Sequence, residues 1–153
     1  MLYHISRAYR LWSGFRGVFS VNILIVDDEA VQIESMRRGL MTKGFGVIEA
    51  FNAEEALRQL DVQGNRIGLV LTDYAMPGMN GIDLLKTIRM RQATLPIILM
   101  TAYSDKKGVI DSLRNPYNGF LLKPFTLVEL LREIEKVSGY RALNPYSPLR
   151  IYD

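Results

Sequence analysis

Five short apolar runs recur along the chain, with helix-like spacing between them, and charged or hydroxyl residues stand at the ends of four. The first run, residues 21–26, ends in Asp27 and Asp28; the third, 67–71, ends in Thr72 and Asp73. The fourth, 96–100, ends in Thr101 and Ala102, and the fifth, 119–122, ends in Lys123 and Pro124, while Val47 and Ile48 form a shorter second run. Runs this short and this rich in Val, Ile and Leu read as strands buried on both faces.

Between the runs, Ala30, Ile33, Met36 and Leu40 repeat at helical spacing, as do residues 53–60, then Ile82, Leu85 and Ile88. The last such stretch carries Leu127, Leu130, Leu131, Ile134 and Val137. Gly44 closes the first helix, and Asn52 caps the second with Glu54 and Glu55 at its positive end. Ser104 and Asp105 open a fourth helix that Asn115-Pro116 must end, because a residue before proline avoids the α region. Thr126 caps the last helix, which ends near Gly139. Strands joined through helices pair in parallel with right-handed crossovers, which predicts a doubly wound α/β domain with a five-stranded parallel sheet.

The chain of 153 residues fits one such domain, and it contains no cysteine, which removes disulfides and thiolate metal sites and suits a reducing, cytoplasmic setting. Its net charge of +3 sits in residues 1–20, where Arg7, Arg10 and Arg16 meet no acid, so the rest of the chain is balanced and its charge predicts no nucleic-acid contact. Ile5, Ala8, Trp12, Phe15 and Phe19 share one helical face of this basic extension. Such a helix can rest on an anionic membrane, but Gly14 and Gly17 weaken it, and a short leader is the preferred reading. His4 has no partners and reads as solvent-facing. The expected organisation is the extension 1–20, a domain over 21–140 and a tail over 141–153 too short for a DNA-binding unit. Met36, Met41 and Met100 read as core filler.

Parallel open sheets place their sites at the carboxyl ends of the strands. There, Asp27, Asp28, Asp73, Thr101 and Lys123 would meet. Asp27 and Asp28 taken singly could be helix caps, Thr101 a turn residue and Lys123 a solvated side chain. As a group they are harder to dismiss. Two carboxylates about 4 Å apart repel by ~4 kcal/mol at an effective dielectric of about 20. Lys123 supplies one counter-charge, and the all-oxygen donor set favours Mg²⁺, or Mn²⁺, for the rest. An aspartate held beside such cations is a competent phosphoryl acceptor, because phosphoryl transfer asks chiefly for positioning and charge neutralisation. Asp73, on a central strand between the acid pair and Lys123, is the candidate nucleophile.

Residues 25–29 (IVDDE), 72–85 (TDYAMPGMNGIDLL), 96–102 (PIILMTA) and 120–125 (FLLKPF) occur in order across roughly 120 residues, and together resemble the response-regulator receiver domain of two-component signalling. The resemblance implies a flavodoxin-like sheet of order 2-1-3-4-5. It implies phosphorylation of Asp73 by a sensor histidine kinase or a histidine phosphotransfer protein. It further implies Mg²⁺ held by Asp28 and Asp73, by Asp27 through water, and by the Ala75 carbonyl. Lys123 would contact the phosphoryl group, Pro124 would follow a cis peptide, Thr101 and Phe120 would form the switch, and Ala102 would leave room at the site. Such a domain would act without turnover, by relay or by docking on a downstream protein.

Some positions depart from the family pattern. Phe120 lacks a hydroxyl, and residues 113–119 (LRNPYNG) replace the usual small-residue turn, so that Pro116 should shorten the fourth helix. Ala75 cannot orient a hydrolytic water and Tyr103 could screen it, which predicts slow self-dephosphorylation. A phosphatase using an aspartyl phosphate wants a second carboxylate where Ala75 stands. A flavin binder wants a Ser/Thr/Gly loop where this chain has two anions.

Overall fold

The alternation of apolar side chains in β1 (Val21–Val26) shows how the domain is layered. Ile23 and Ile25 face one core, with Ile33 and Leu40 of α1 (Ala30–Thr42) and Leu130, Ile134 and Val137 of α5 (Leu127–Ser138). Leu24 and Val26 face the other, with Ala53, Ala56 and Leu60 of α2 (Ala53–Gln63) and Leu84, Leu85 and Ile88 of α3 (Gly81–Arg91). Two helices therefore cover one face of the sheet, and α2, α3 and the short α4 (Lys107–Ser112) cover the other. The strands β2 (Phe45–Ala50), β3 (Ile67–Asp73), β4 (Ile97–Thr101) and β5 (Asn118–Leu122) complete a five-stranded sheet of order β2-β1-β3-β4-β5, every pair parallel. This computed structural model describes residues 21–102 and 107–142. The readings made for residues 1–20 and His4, for Tyr103, Ser104 and Asp105, and for residues 143–153 lie outside them.

The expected order and pairing of the strands are present. β2 is longer than its two-residue signal, because the run continues through Gly46 and Glu49 in register with β1, from Val21↔Phe45 to Val26↔Ala50. Phe45 is buried there, and Glu49 lies 3.5 Å from Arg37 on α1. α2 extends three residues past Leu60 before the 3₁₀ turn Gly64–Arg66. Within the described residues α4 runs for six residues and stops before Asn115, as Pro116 requires.

The expected caps form on α2 and α5. Asn52 accepts the Glu55 amide at 2.8 Å, and Thr126 and Glu129 form a reciprocal capping box. Gly139 ends α5 in the left-handed conformation, φ 77°, its amide reaching the Glu135 carbonyl at 2.8 Å. Met100 is buried as predicted, whereas Met36 and Met41 are only partly so, and the Met41 sulfur accepts from Arg37 at 3.5 Å. No helix among the described residues is long and apolar enough to cross a membrane.

Candidate functional site

Register brings the polar strand ends together. Val26 lies beside Thr72, Asp73 beside Met100, and Thr101 beside Leu122. The next residues on β1 and β5, Asp27 and Lys123, therefore flank Asp73 from either side. The Lys123 ammonium stands 2.8 Å from Asp73 Oδ1 and 3.8 Å from Asp27 Oδ2. Asp27, Asp28 and Asp73 each offer an oxygen, all within 4.8 Å of one another. The backbone locks the frame: the Lys123 amide donates to the Thr101 carbonyl and the Tyr74 amide to the Met100 carbonyl, both at 2.8 Å.

Burial gives this cluster its character. Asp27 is 1% exposed and Asp73 7%, while Asp28 faces solvent. Asp27 Oδ1 accepts the Glu29 amide at 2.9 Å, but the buried Oδ2 has no hydrogen-bond donor. Burial, above all, pushes the Asp27 pKa up to about 6, opposed by the Glu29 amide. The charge of Asp73 pushes the same way, Lys123 works against it, and Asp28 adds to it. The helix-cap reading of Asp27 and Asp28 fails, because the N-cap of α1 is Glu29 and makes no side-chain cap bond. Three carboxylates with one ammonium and an orphaned buried oxygen suit a hard divalent cation such as Mg²⁺.

The other predicted residues fall around this centre. Thr101 is buried at the end of β4, and Ala102 follows it on the surface. Ala75 lies on the exposed loop two residues past Asp73. The Lys123–Pro124 peptide is cis. Phe120 is not among the carboxylates; it is half-buried, packed with Tyr74 against Ile82, Leu99 and Val109.

Two supporting residues escaped the sequence reading. Asn80 caps α3 by accepting the Asp83 amide at 2.9 Å. Gly81 comes so close behind Asp73 that a Cβ there would lie 2.2 Å from the Asp73 carbonyl oxygen and 2.9 Å from Tyr74 Cα. Its amide also bonds the Tyr74 carbonyl at 2.9 Å, which clamps the start of α3 onto the strand end that carries Asp73. The available signal was a glycine placed between a turn-rich loop and a helical repeat.

Comparison with known proteins agrees with this geometry. The family described as response regulator receiver domain matches residues 23–135. Chemotaxis protein CheY1 of Helicobacter pylori is 34% identical over 122 residues, covering 78% of this chain and 98% of the relative. A two-component response regulator of Arabidopsis thaliana, ARR21, is 35% identical over 115 residues, but the match spans only 18% of that longer protein and 75% of this chain. Among solved structures, a response regulator receiver protein from Pseudomonas putida is 37% identical with a TM-score of 0.69, over 76% of this chain and 96% of that one. A receiver domain from Clostridium thermocellum gives 25% identity and a TM-score of 0.71, over 78% and 94% respectively. With sheet order, acidic cluster and lysine all in agreement, the chain belongs to the response regulator receiver domain family of two-component signalling.

Proposed function

We propose that Asp73 accepts a phosphoryl group from a phosphohistidine, on a sensor histidine kinase or a histidine phosphotransfer protein, and that the domain signals by the resulting change of shape. The observation that carries this reading is the 2.8 Å contact of Lys123 with Asp73, beside a buried Asp27 whose second oxygen lacks a hydrogen-bond donor. Gly81 and the strand-end hydrogen bonds hold the Asp73 backbone fixed, so its carboxylate can be presented with little reorganisation.

In the transfer, a carboxylate oxygen of Asp73 forms the new O–P bond as the N–P bond of the donor breaks. The electron pair stays on the imidazole nitrogen, which takes up a proton. Magnesium bound by the acidic cluster would supply the positive charge that screens the attacking carboxylate from the phosphoryl oxygens. The Lys123 ammonium remains beside the acyl phosphate as a charge-assisted donor. The Thr101 hydroxyl, on the neighbouring strand end, is the group to be drawn toward the new phosphoryl oxygens, with Phe120 repacking behind it.

This chemistry is stoichiometric rather than that of a turnover enzyme. It suits a cytoplasmic protein whose output is relay or docking on another protein. Incubation with radiolabelled acetyl phosphate and Mg²⁺ should load one phosphoryl group per chain, and loading should disappear in Asp73→Asn and with chelator. Multiple turnovers of phosphate release at enzymatic rates would contradict this reading in favour of a phosphatase.

A further inference from the structure

Strand β5 lies at one edge of the sheet, so one side of its backbone has no neighbouring strand. On that side the Phe120 amide donates to Glu133 Oε1 of α5 at 3.1 Å. The Glu133 side chain is only 15% exposed, with Lys136 of the same helix 3.8 Å from that oxygen. Gly119 makes the approach possible: a Cβ there would meet Glu133 Oε1 at 2.7 Å and Val137 Cγ1 at 2.7 Å. The missing side chain is therefore the gap through which a carboxylate reaches the strand.

The same short strand touches the candidate reaction centre at its other end. Lys123, one residue past β5, bonds Asp73 through its ammonium and the Thr101 carbonyl through its amide, both at 2.8 Å. Between these attachments stands Phe120, whose ring packs on the α3–α4 side of the sheet. Strand β5 is thus fixed to the acidic centre through Lys123 and to α5 through a carboxylate, whose hydrogen bonds are about twice as strong as neutral ones.

We propose that Glu133 is a positioning residue that couples strand β5 to helix α5, so that displacement of Phe120 on modification of Asp73 moves the helix. The proposal rests on Asp73 being the phosphoacceptor, but it assigns something separate, the route by which one helix follows the switch. The plainer alternative is that the carboxylate only seals an open strand edge. In that case its loss would lower stability without changing what α5 does when the site is filled.

Amide NMR of the full chain with beryllofluoride and Mg²⁺, as a mimic of the phosphoryl group, separates the two. Glu133→Gln keeps an acceptor oxygen, whereas Glu133→Ala and the length-conserving Glu133→Met remove it. In the unsubstituted chain and in Glu133→Gln, shift changes should extend from residues 119–123 into Leu127–Ser138. In the Ala and Met variants the α5 changes should shrink at least about threefold, while those around Asp73 and the half-saturating beryllofluoride concentration stay within about twofold. Undiminished α5 changes without the acceptor, or equal loss in Glu133→Gln, would overturn the proposal. Absence of any response around Asp73 in the unsubstituted chain would overturn the phosphoacceptor reading, and this one with it.

Discussion

At the carboxyl ends of the strands, Asp27 and Asp73 share the Lys123 ammonium beside the exposed Asp28, and Asp27 Oδ2 is buried without a donor. At the opposite end a single cation, Arg89 on α3, is spread over several acceptors. Its Nη1 bonds the carbonyls of Gln92 and Ala93 at 3.0 and 2.9 Å, and its Nη2 bonds Asn118 Oδ1 at the start of β5. The Asn118 amide nitrogen donates in turn to the Ser112 carbonyl at 2.8 Å, tying the end of α4 to α3 and β5. Only Arg89 Nε in this network lacks a partner. One end of the sheet thus solvates its charge with its own dipoles, while the other gathers like charges and leaves them short of cation. The difference separates a structural clamp from a candidate ligand site, since buried charge left short of counter-charge costs the fold stability unless a proton or a bound cation completes it.

The largest expected effect of disturbing this contrast is at Lys123. Lys123→Met should slow loading from acetyl phosphate by about 10- to 100-fold. Chelator-treated protein carrying that change should also melt lower than the parent, because three carboxylates then stand without their ammonium. Loading at the parental rate would place the needed charge elsewhere.

Asp27 gives a pH signature. Its pKa is raised from 3.8 to about 6 on folding, so the folded state holds this proton more tightly than the unfolded chain. The associated stability is fully present below the unfolded value and is lost as pH rises through about 6. Metal-free Asp27→Asn should therefore be more stable than the parent near neutral pH, by on the order of 2–3 kcal/mol, and should lose this pH dependence. Denaturant titrations across that range measure it, and parallel pH profiles would contradict the account.

The clamp should behave in the opposite way. Arg89→Met leaves Asn118 Oδ1 and the two carbonyls without their donor, and should cost about 1–3 kcal/mol in unfolding free energy. Phosphoryl loading should stay within about twofold, because the clamp lies at the far end of the strands. A loss of loading larger than the loss of folded protein would mean that the two ends are coupled. The smallest effect is expected at Ala75, whose methyl group cannot hold a hydrolytic water. The aspartyl phosphate should persist well beyond seconds, and Ala75→Asn should shorten its lifetime a few-fold.

Much of this design is legible in the sequence, because period and turn chemistry are local. The runs ending in Asp27, Asp73, Thr101 and Lys123 announce parallel strands, and parallel strands bring their last residues to one edge. Only Val47 and Ile48 of β2 stand out in the sequence, because Gly46 and Glu49 break its apolar pattern, although pairing with β1 carries the strand through both. Taken singly Asp27 reads as a helix cap, but Glu29 takes the cap position and burial sets the Asp27 carboxylate beside Lys123 and Asp73. Arg89 and Asn118 are 29 positions apart, and Phe120 and Glu133 are 13 apart, so nothing local marks either pair. The role of Gly81 likewise appears only once α3 is laid against the end of β3.

The claim on which the rest depends is that the under-neutralised cluster makes Asp73 itself the acceptor. Borohydride reduction of the chain after reaction with acetyl phosphate and Mg²⁺ converts an aspartyl phosphate into homoserine, which peptide mass spectrometry then locates. The account predicts homoserine at position 73 alone, dependent on Mg²⁺ and absent from Asp73→Asn. Homoserine at Asp27 or Asp28, or phosphate held on a residue that borohydride does not reduce, would contradict it.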